Sequence, residues 1–199
     1  LIDRNQWIAR RLMIFGMHIH IGMKDGDSCI RFNNFLLYFI PHLTALTASS
    51  PFWQSDNTGL ASCRSTIFES CPTAGHPCRV NNWQEFSDLC NHMIACKAIG
   101  DLKDIWWDIR PSPKFGTLEV RACDGPATLQ ETNAVVAFIH ALAHWYDEHG
   151  EYDADHPAPL TWIMRENKWR ATRHGMDALL IKDRGNNLIH MREDLRFWM

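Results

Sequence analysis

An α+β fold with mainly antiparallel strands is predicted by three features of this sequence. Residues 105–110 and 117–123 are both strand-like, and Pro111, Pro113 and Gly116 break the chain between them, which marks an antiparallel pair on a short connection. Helical periodicity recurs in long stretches that do not alternate with strands in the rhythm of a parallel, doubly wound sheet. Hydrophobic residues make up 46% and charged residues 22% of the 199 positions, enough apolar material for a core that nine tryptophans and ten phenylalanines make unusually aromatic. One domain is expected over residues 1–199, since no repeat, low-complexity tract or linker divides them.

From the start of the chain, residues 5–13 read as helix. A domain rarely opens inside a helix without a capping residue, so further sequence is expected upstream. Met17, Ile19 and Ile21 then alternate with His18, His20 and Gly22, the period-two pattern of a strand with one buried face. A long helix is expected over residues 27–48, capped by Asp25 or Asp27 and bent at Pro41. Residues 49–80 contain Pro51, Gly59, Pro72, Gly75 and Pro77 and read as a long ordered loop, a feature that usually carries function in a compact domain. Asn82 caps the next helix, with Glu85 three positions on. Trp83, Phe86, Leu89, Cys90, Met93 and Ile94 form its apolar stripe, and Gly100 closes it. Thr128 and Glu131 make a capping box for a helix reaching residue 147. Another helix spans 160–174 and ends at Gly175. Residues 179–182 and 187–191 flank Asp183-Arg184-Gly185-Asn186 as a small hairpin.

The formal net charge of −3 supplies no field for nucleic acid or an anionic membrane, so neither is expected as a partner. Seven cysteines, an odd number without a CxxC pair, indicate neither a disulfide framework nor a zinc knuckle. They read as free thiols in a reducing cytosol, which makes the expected location cytoplasmic. No apolar run reaches the roughly 20 residues of a membrane span; the longest, residues 35–40, stops at Pro41 and His42.

Chemistry enters at His18 and His20. Residues two apart on a strand share a face, with Cα atoms about 6.5–7 Å apart. Such a pair suits a metal, or a metal and a phosphate, and by spacing alone fits better a half-exposed sheet with no ligand. Asp108 and Arg110 likewise share a face of one predicted strand, and Glu119 and Arg121 a face of the next. Paired as a hairpin, they form either a patch for a hard cation and an anion or a cross-strand salt-bridge ladder. Arg170 and Arg173, three apart on a helix with Asn167 one step earlier, suit a nucleotide or acidic substrate, or a solvated basic face. His140 and His144 have chelating spacing but lack the glutamate of a zinc-protease motif, so helix packing accounts for them better. No Walker loop, dinucleotide fingerprint or serine-hydrolase motif occurs.

Five blocks resemble the type-2 glutamate–cysteine ligases, also described as carboxylate–amine ligases. They are Ile14-Phe15-Gly16-Met17-His18-Ile19-His20-Ile21-Gly22; Ser49-Ser50-Pro51-Phe52-Trp53-Gln54 with Thr58-Gly59 and Ser62 through Arg64; the run from Trp107 to Arg121; Glu166-Asn167-Lys168-Trp169-Arg170-Ala171 continuing to Arg173 and Gly175; and Ala143-His144-Trp145. The resemblance implies the catalytic fold of glutamine synthetase, a curved, mainly antiparallel sheet with helices packed on one face and ligands on the other. It implies ATP and Mg²⁺, with glutamate and an amine, cysteine by the family's label, as substrates. His18 and Glu119 take the place of metal ligands. His20 takes that of a neighbour of the phosphates, with Arg110, Arg170 and Arg173 as further phosphate candidates. Arg121 and Arg64 are the substrate candidates, and Arg110, Glu119 and Arg121 the catalytic ones. The same likeness extends to a homodimer. The family's Gly-x-Glu-x-Glu strand has no counterpart in these residues, so either it lies in a segment upstream or the protein is incomplete as a catalyst, and the family's C-terminal helices are missing after Met199. A phosphotransferase of the same fold and a non-catalytic binding or scaffold relative are the alternatives.

Overall fold

The computed structural model describes residues 2–150 and 160–199. α1 (Ile2–Ala9) is short and kinked, with Gln6 at φ 46°, and stops well before the predicted residue 13. Asn5 is its one buried residue, so no apolar face exists to extend it. β1 (Gly16–Gly22) follows, with Ile19 buried and His18 and His20 exposed on the opposite side.

α2 (Gly26–Leu36) is capped by Asp25, whose side chain accepts the Ser28 N–H. The predicted single helix breaks at a 3₁₀ turn, Leu37–Phe39, rather than at Pro41. Pro41 instead sits in the first turn of α3 (Ile40–Thr47), where its missing N–H leaves no bond unmade.

Residues 49–80 are more than a loop. They contain the hairpin β2 (Phe52–Trp53) and β3 (Asp56–Asn57), then α4 (Cys63–Glu69) and β4 (Ala74–Gly75). Each piece is too short to show a period, and α4 is fixed by burying Cys63, Arg64, Ser65 and Phe68. α5 (Trp83–Ala95) starts at Asn82, whose side chain accepts the Glu85 N–H. It ends through Lys97 at φ 56°, with the Ala98 N–H returning to the Met93 carbonyl, before Gly100 is reached.

β5 (Trp106–Trp107), β6 (Ile109–Ser112) and β7 (Thr117–Asp124) come next. α6 (Leu129–Glu148) has the capping box of Thr128 and Glu131 in both directions. α7 (Thr161–His174), β8 (Leu179–Ile181), β9 (Leu188–His190) and α8 (Met191–Trp198) complete the chain.

The main sheet is antiparallel with order β1-β7-β6, so β7 lies between the histidine strand and the arginine strand. Ile19, Ile109, Leu118, Val120 and Ala122 pack from one sheet face against Phe32, Phe35 and Leu36 of α2, against Phe39 and Leu43, and against Val135, Ile139 and Leu142 of α6. Period two then sends the intervening residues to the other face. β4 pairs with β5 in parallel, Ala74 with Trp106 and Gly75 with Trp107, while β8 and β9 form the expected hairpin. Among the described residues, strands and helices thus make an α+β arrangement of small, mostly antiparallel sheets, and no helix is long and apolar enough to cross a membrane. All seven cysteines are free.

Candidate functional site

β7 presents Glu119 at the centre of the polar face. Its register partner on β1 is His20 and on β6 is Arg110, so one row across three strands reads imidazole, carboxylate, guanidinium. Between Met17 and Ile19 the β1–β7 register slips by one, a bulge that places His18 opposite both Arg121 and Ala122. His18 is therefore turned onto Glu119 as well.

The carboxylate, only 4% exposed, is surrounded by donors. Glu119 Oε1 accepts from Arg121 Nη1 at 2.7 Å and lies 3.1 Å from His18 Nδ1 and 3.8 Å from His20 Nε2. Glu119 Oε2 accepts from Arg110 Nη2 at 2.5 Å and Nε at 3.1 Å. Burial alone would push the Glu119 pKa up. The hydrogen bond from His18 and the charges of Arg121 and Arg110 outweigh it and hold the carboxyl well below the usual range. Arg121 is lowered, first by burial and then by the neighbouring Arg110 and Arg64 charges, against the pull of Glu119.

Each cation is differently engaged. Arg110 also donates Nη1 to the carbonyls of Leu102, Lys103 and Ile105, fixing its guanidinium as a brace. Arg121 keeps a buried Nε–H with no partner among the described residues. His20 is oriented by Thr117, whose Oγ1 lies 2.8 Å from Nδ1, and both histidines remain open to solvent. Two guanidiniums around one carboxylate leave the face cationic, and planar guanidinium forks suit phosphate or carboxylate oxygens.

Arg64 stands behind this surface. Its side chain is buried, donates Nη2 to the Arg121 carbonyl at 3.1 Å and lies 3.7 Å from Asp124. It packs so close to Gly16 that any side chain there would collide with its guanidinium. Arg64 and Arg121 flank the Phe68 ring, 5.5 and 5.8 Å from its centroid. Asp124 also accepts from Ser50 Oγ, Ser62 Oγ and the Ser49 N–H, tying the 49–64 segment to the end of β7. Arg170 and Arg173 are not brought to Glu119. Arg170 is held by Glu166 and the Leu179 carbonyl, and Arg173 by the Gly59 carbonyl.

Sequence reasoning missed Lys168. Its ammonium is 5% exposed and bonds both Asp108, at 2.6 Å, and Glu69. Asp108 is the next step of the polar row, because its carbonyl accepts the Arg121 N–H at 2.6 Å. The Arg165-x-x-Lys168 spacing, like that of Arg170 and Arg173, was the available signal.

For a hard cation the set is thin. His18, His20 and Glu119 offer one carboxylate whose two oxygens already face guanidiniums, and among the described residues no group of three or more His, Cys, Asp or Glu is placed to hold a metal. Magnesium takes octahedral, largely oxygen coordination, which these residues do not complete.

The fold and site define an α+β protein with a cationic sheet face built around one buried carboxylate. A model of glutamate–cysteine ligase family 2 matches residues 1–197, and the chain belongs to that family. It is 51% identical over 196 residues to a Bdellovibrio bacteriovorus protein provisionally named glutamate–cysteine ligase 2, covering 98% of this chain and 52% of that protein. A similarly named Frankia alni protein is 45% identical over 202 residues, covering 98% and 53%, and one from Thermobifida fusca is 42% identical over 195, covering 98% and 49%. The chain spans about half the length of these relatives.

Proposed function

We propose that the chain contributes the phosphate- and carboxylate-binding face of an ATP-dependent carboxylate–amine ligase on a glutamine synthetase-like sheet. The observation that supports this best is the row His20–Glu119–Arg110 with His18 and Arg121 closing on the same carboxylate. The family's name supplies glutamate and cysteine as the first substrates to try. Seven free thiols suit a reducing, cytoplasmic setting.

A carboxylate is a poor acyl donor because its leaving group is oxide. Transfer of the ATP γ-phosphoryl group to a glutamate carboxylate oxygen makes phosphate the leaving group, and an amine then attacks the carbonyl carbon. In this reading Arg110 and Arg121 face the charge that gathers on the transferred phosphoryl oxygens. If magnesium accompanies ATP, His18 and Glu119 would be this chain's candidate donors, and its other ligands would have to come from outside the described residues. Arg170 and Arg173, held elsewhere, belong to the reading only as a more distant part of the nucleotide path.

The test is phosphate release from ATP and Mg²⁺ with glutamate, with and without each of a panel of amines. Release that requires both glutamate and an amine is expected. Phosphorylated product without an amine would point to a phosphotransferase, and ATP binding without any turnover to a binding protein; either result sinks the ligase reading.

A further inference from the structure

His140 and His144 take no part in the polar sheet face, and helix packing does not account for them. Both are exposed on α6, one turn apart, over a cavity of about 420 Å³ between the end of β1, α2 and α6. Ile21 and Phe32 line that cavity with them and belong to the packed, helix-covered side of the main sheet, so it lies away from Glu119. Neither imidazole has a hydrogen-bond partner among the described residues. The rings meet each other, with centroids 4.5 Å apart and planes at 78°. That separation has a chemical meaning. A metal–nitrogen bond of about 2.0–2.1 Å puts the centre of a coordinated imidazole about 3.2 Å from the ion. Two rings bound side by side, at an N–metal–N angle of about 90°, then have centroids about 4.5 Å apart. A tetrahedral angle would need about 5.2 Å. The observed spacing is the right-angled one, and each ring is free to turn about its own metal–nitrogen bond, so the tilt of the planes is no obstacle.

Donor type decides which ion fits. Lys24 and Arg31 line the same cavity, and Asp147 is the one carboxylate among its lining residues, so no negative field draws a cation there. Among the described residues no third His, Cys, Asp or Glu completes a set around the pair. Magnesium and calcium, which need several oxygen ligands, are therefore unsuited. Imidazole nitrogens bind borderline ions through the strength of the bond itself, and Ni²⁺ and Cu²⁺ combine that preference with right-angled, tetragonal coordination. We propose that His140 and His144 chelate a borderline divalent transition-metal ion, Ni²⁺ or Cu²⁺, on the surface of α6, with water in the positions that face the cavity. Asp147, three residues beyond His144 on the same helix face, offers an acceptor for such a water. The site is distinct from the Glu119 face and does not depend on the ligase reading.

Titration calorimetry of the chain with Ni²⁺, which does not oxidise its free thiols, tests this. One ion is expected to bind at the pair, and a hundredfold excess of Mg²⁺ should not displace it. His140→Ala and His144→Ala should each weaken binding at least tenfold, because the second imidazole of a chelate binds within the molecule. Alanine suits both exposed helical positions, so the fold is kept. Moving one ring, in the double variant His144→Ala with Ala141→His, preserves the number of imidazoles but turns them about 100° apart around the helix. It should bind no better than His144→Ala. Two controls should bind as the parent does: His92→Ala, which removes the imidazole 3.6 Å from Cys96 Sγ on α5, and His18→Ala on the polar face. Absence of Ni²⁺ binding by the parent would mean that the rings make an edge-to-face contact only. That result, unchanged affinity in both single variants, full affinity in the moved-ring variant, or loss of the tight site in either control overturns the proposal.

Discussion

Glu119 is a carboxylate with a donor on every side, and its removal has two separable consequences. Glu119→Gln keeps size and shape, and Arg110 retains its carbonyl acceptors, so the far-UV circular dichroism should not change. Amine-dependent turnover should fall by about 10²–10³, the usual cost of losing one preorganised electrostatic contact. Equal rates for the variant and the parent chain would take Glu119 out of the site. The second consequence concerns acid. Because the folded-state pKa lies below the ordinary 4.5, the stabilisation from Glu119 is complete above that pH and fades as pH falls below it. The melting-temperature gap between the parent chain and Glu119→Gln should therefore be constant from about pH 8 to 5 and narrow below about pH 4.5. A gap that widens in acid contradicts the donor geometry.

Between elements, α7 is clipped to the start of β6 by Lys168 and Asp108, both nearly inaccessible. Lys168→Met leaves a buried carboxylate without its counter-ion, and a loss of about 3–5 kcal/mol in urea unfolding is expected. Adding Asp108→Asn should restore part of it; a double variant no better than the single would mean that packing, not charge, is lost. At α6, Thr128→Ala removes the acceptor for the Glu131 N–H and should cost about 1 kcal/mol by the same measurement. That capping box was legible because it is written in four consecutive positions, as was the Asn82 cap of α5. By contrast, α4 and β2 to β4 were unreadable in residues 49–80. They are stabilised by partners far along the chain, such as Asp124 for Ser50 and Ser62 and Lys168 for Glu69.

For the molecule as a whole, the aromatic core and the seven thiols give independent readouts. Phe39, fully buried, has its ring within 4.9–6.2 Å of those of Phe35, Trp198 and Phe138, joining α2, α6 and α8. Phe39→Ala should cost about 3–5 kcal/mol in global stability. Cys29 and Cys123 are pushed up to about 12 by burial, and Cys90 to about 11, whereas Cys78 and Cys96 are exposed. At pH 8 a thiol reagent should modify Cys78 and Cys96 in the native protein and reach Cys29, Cys90 and Cys123 only on unfolding. Rapid native labelling of Cys29 or Cys123 would contradict the packing.

By itself the sequence determined what short-range periodicity can encode. It specified the α+β class, the β6–β7 pair, the caps, and the shared faces of His18 with His20 and of Glu119 with Arg121. Only the tertiary structure decided that β1 lies on the far side of β7 from β6, so that His20 and Arg110 meet the same carboxylate, and that Lys168 reaches Asp108 from α7. His20 and Thr117 are 97 residues apart, and no local pattern spans that distance. Strand order is set instead by burying one apolar face of the whole sheet against α2, α3 and α6, and the polar face acquires its arrangement from that packing.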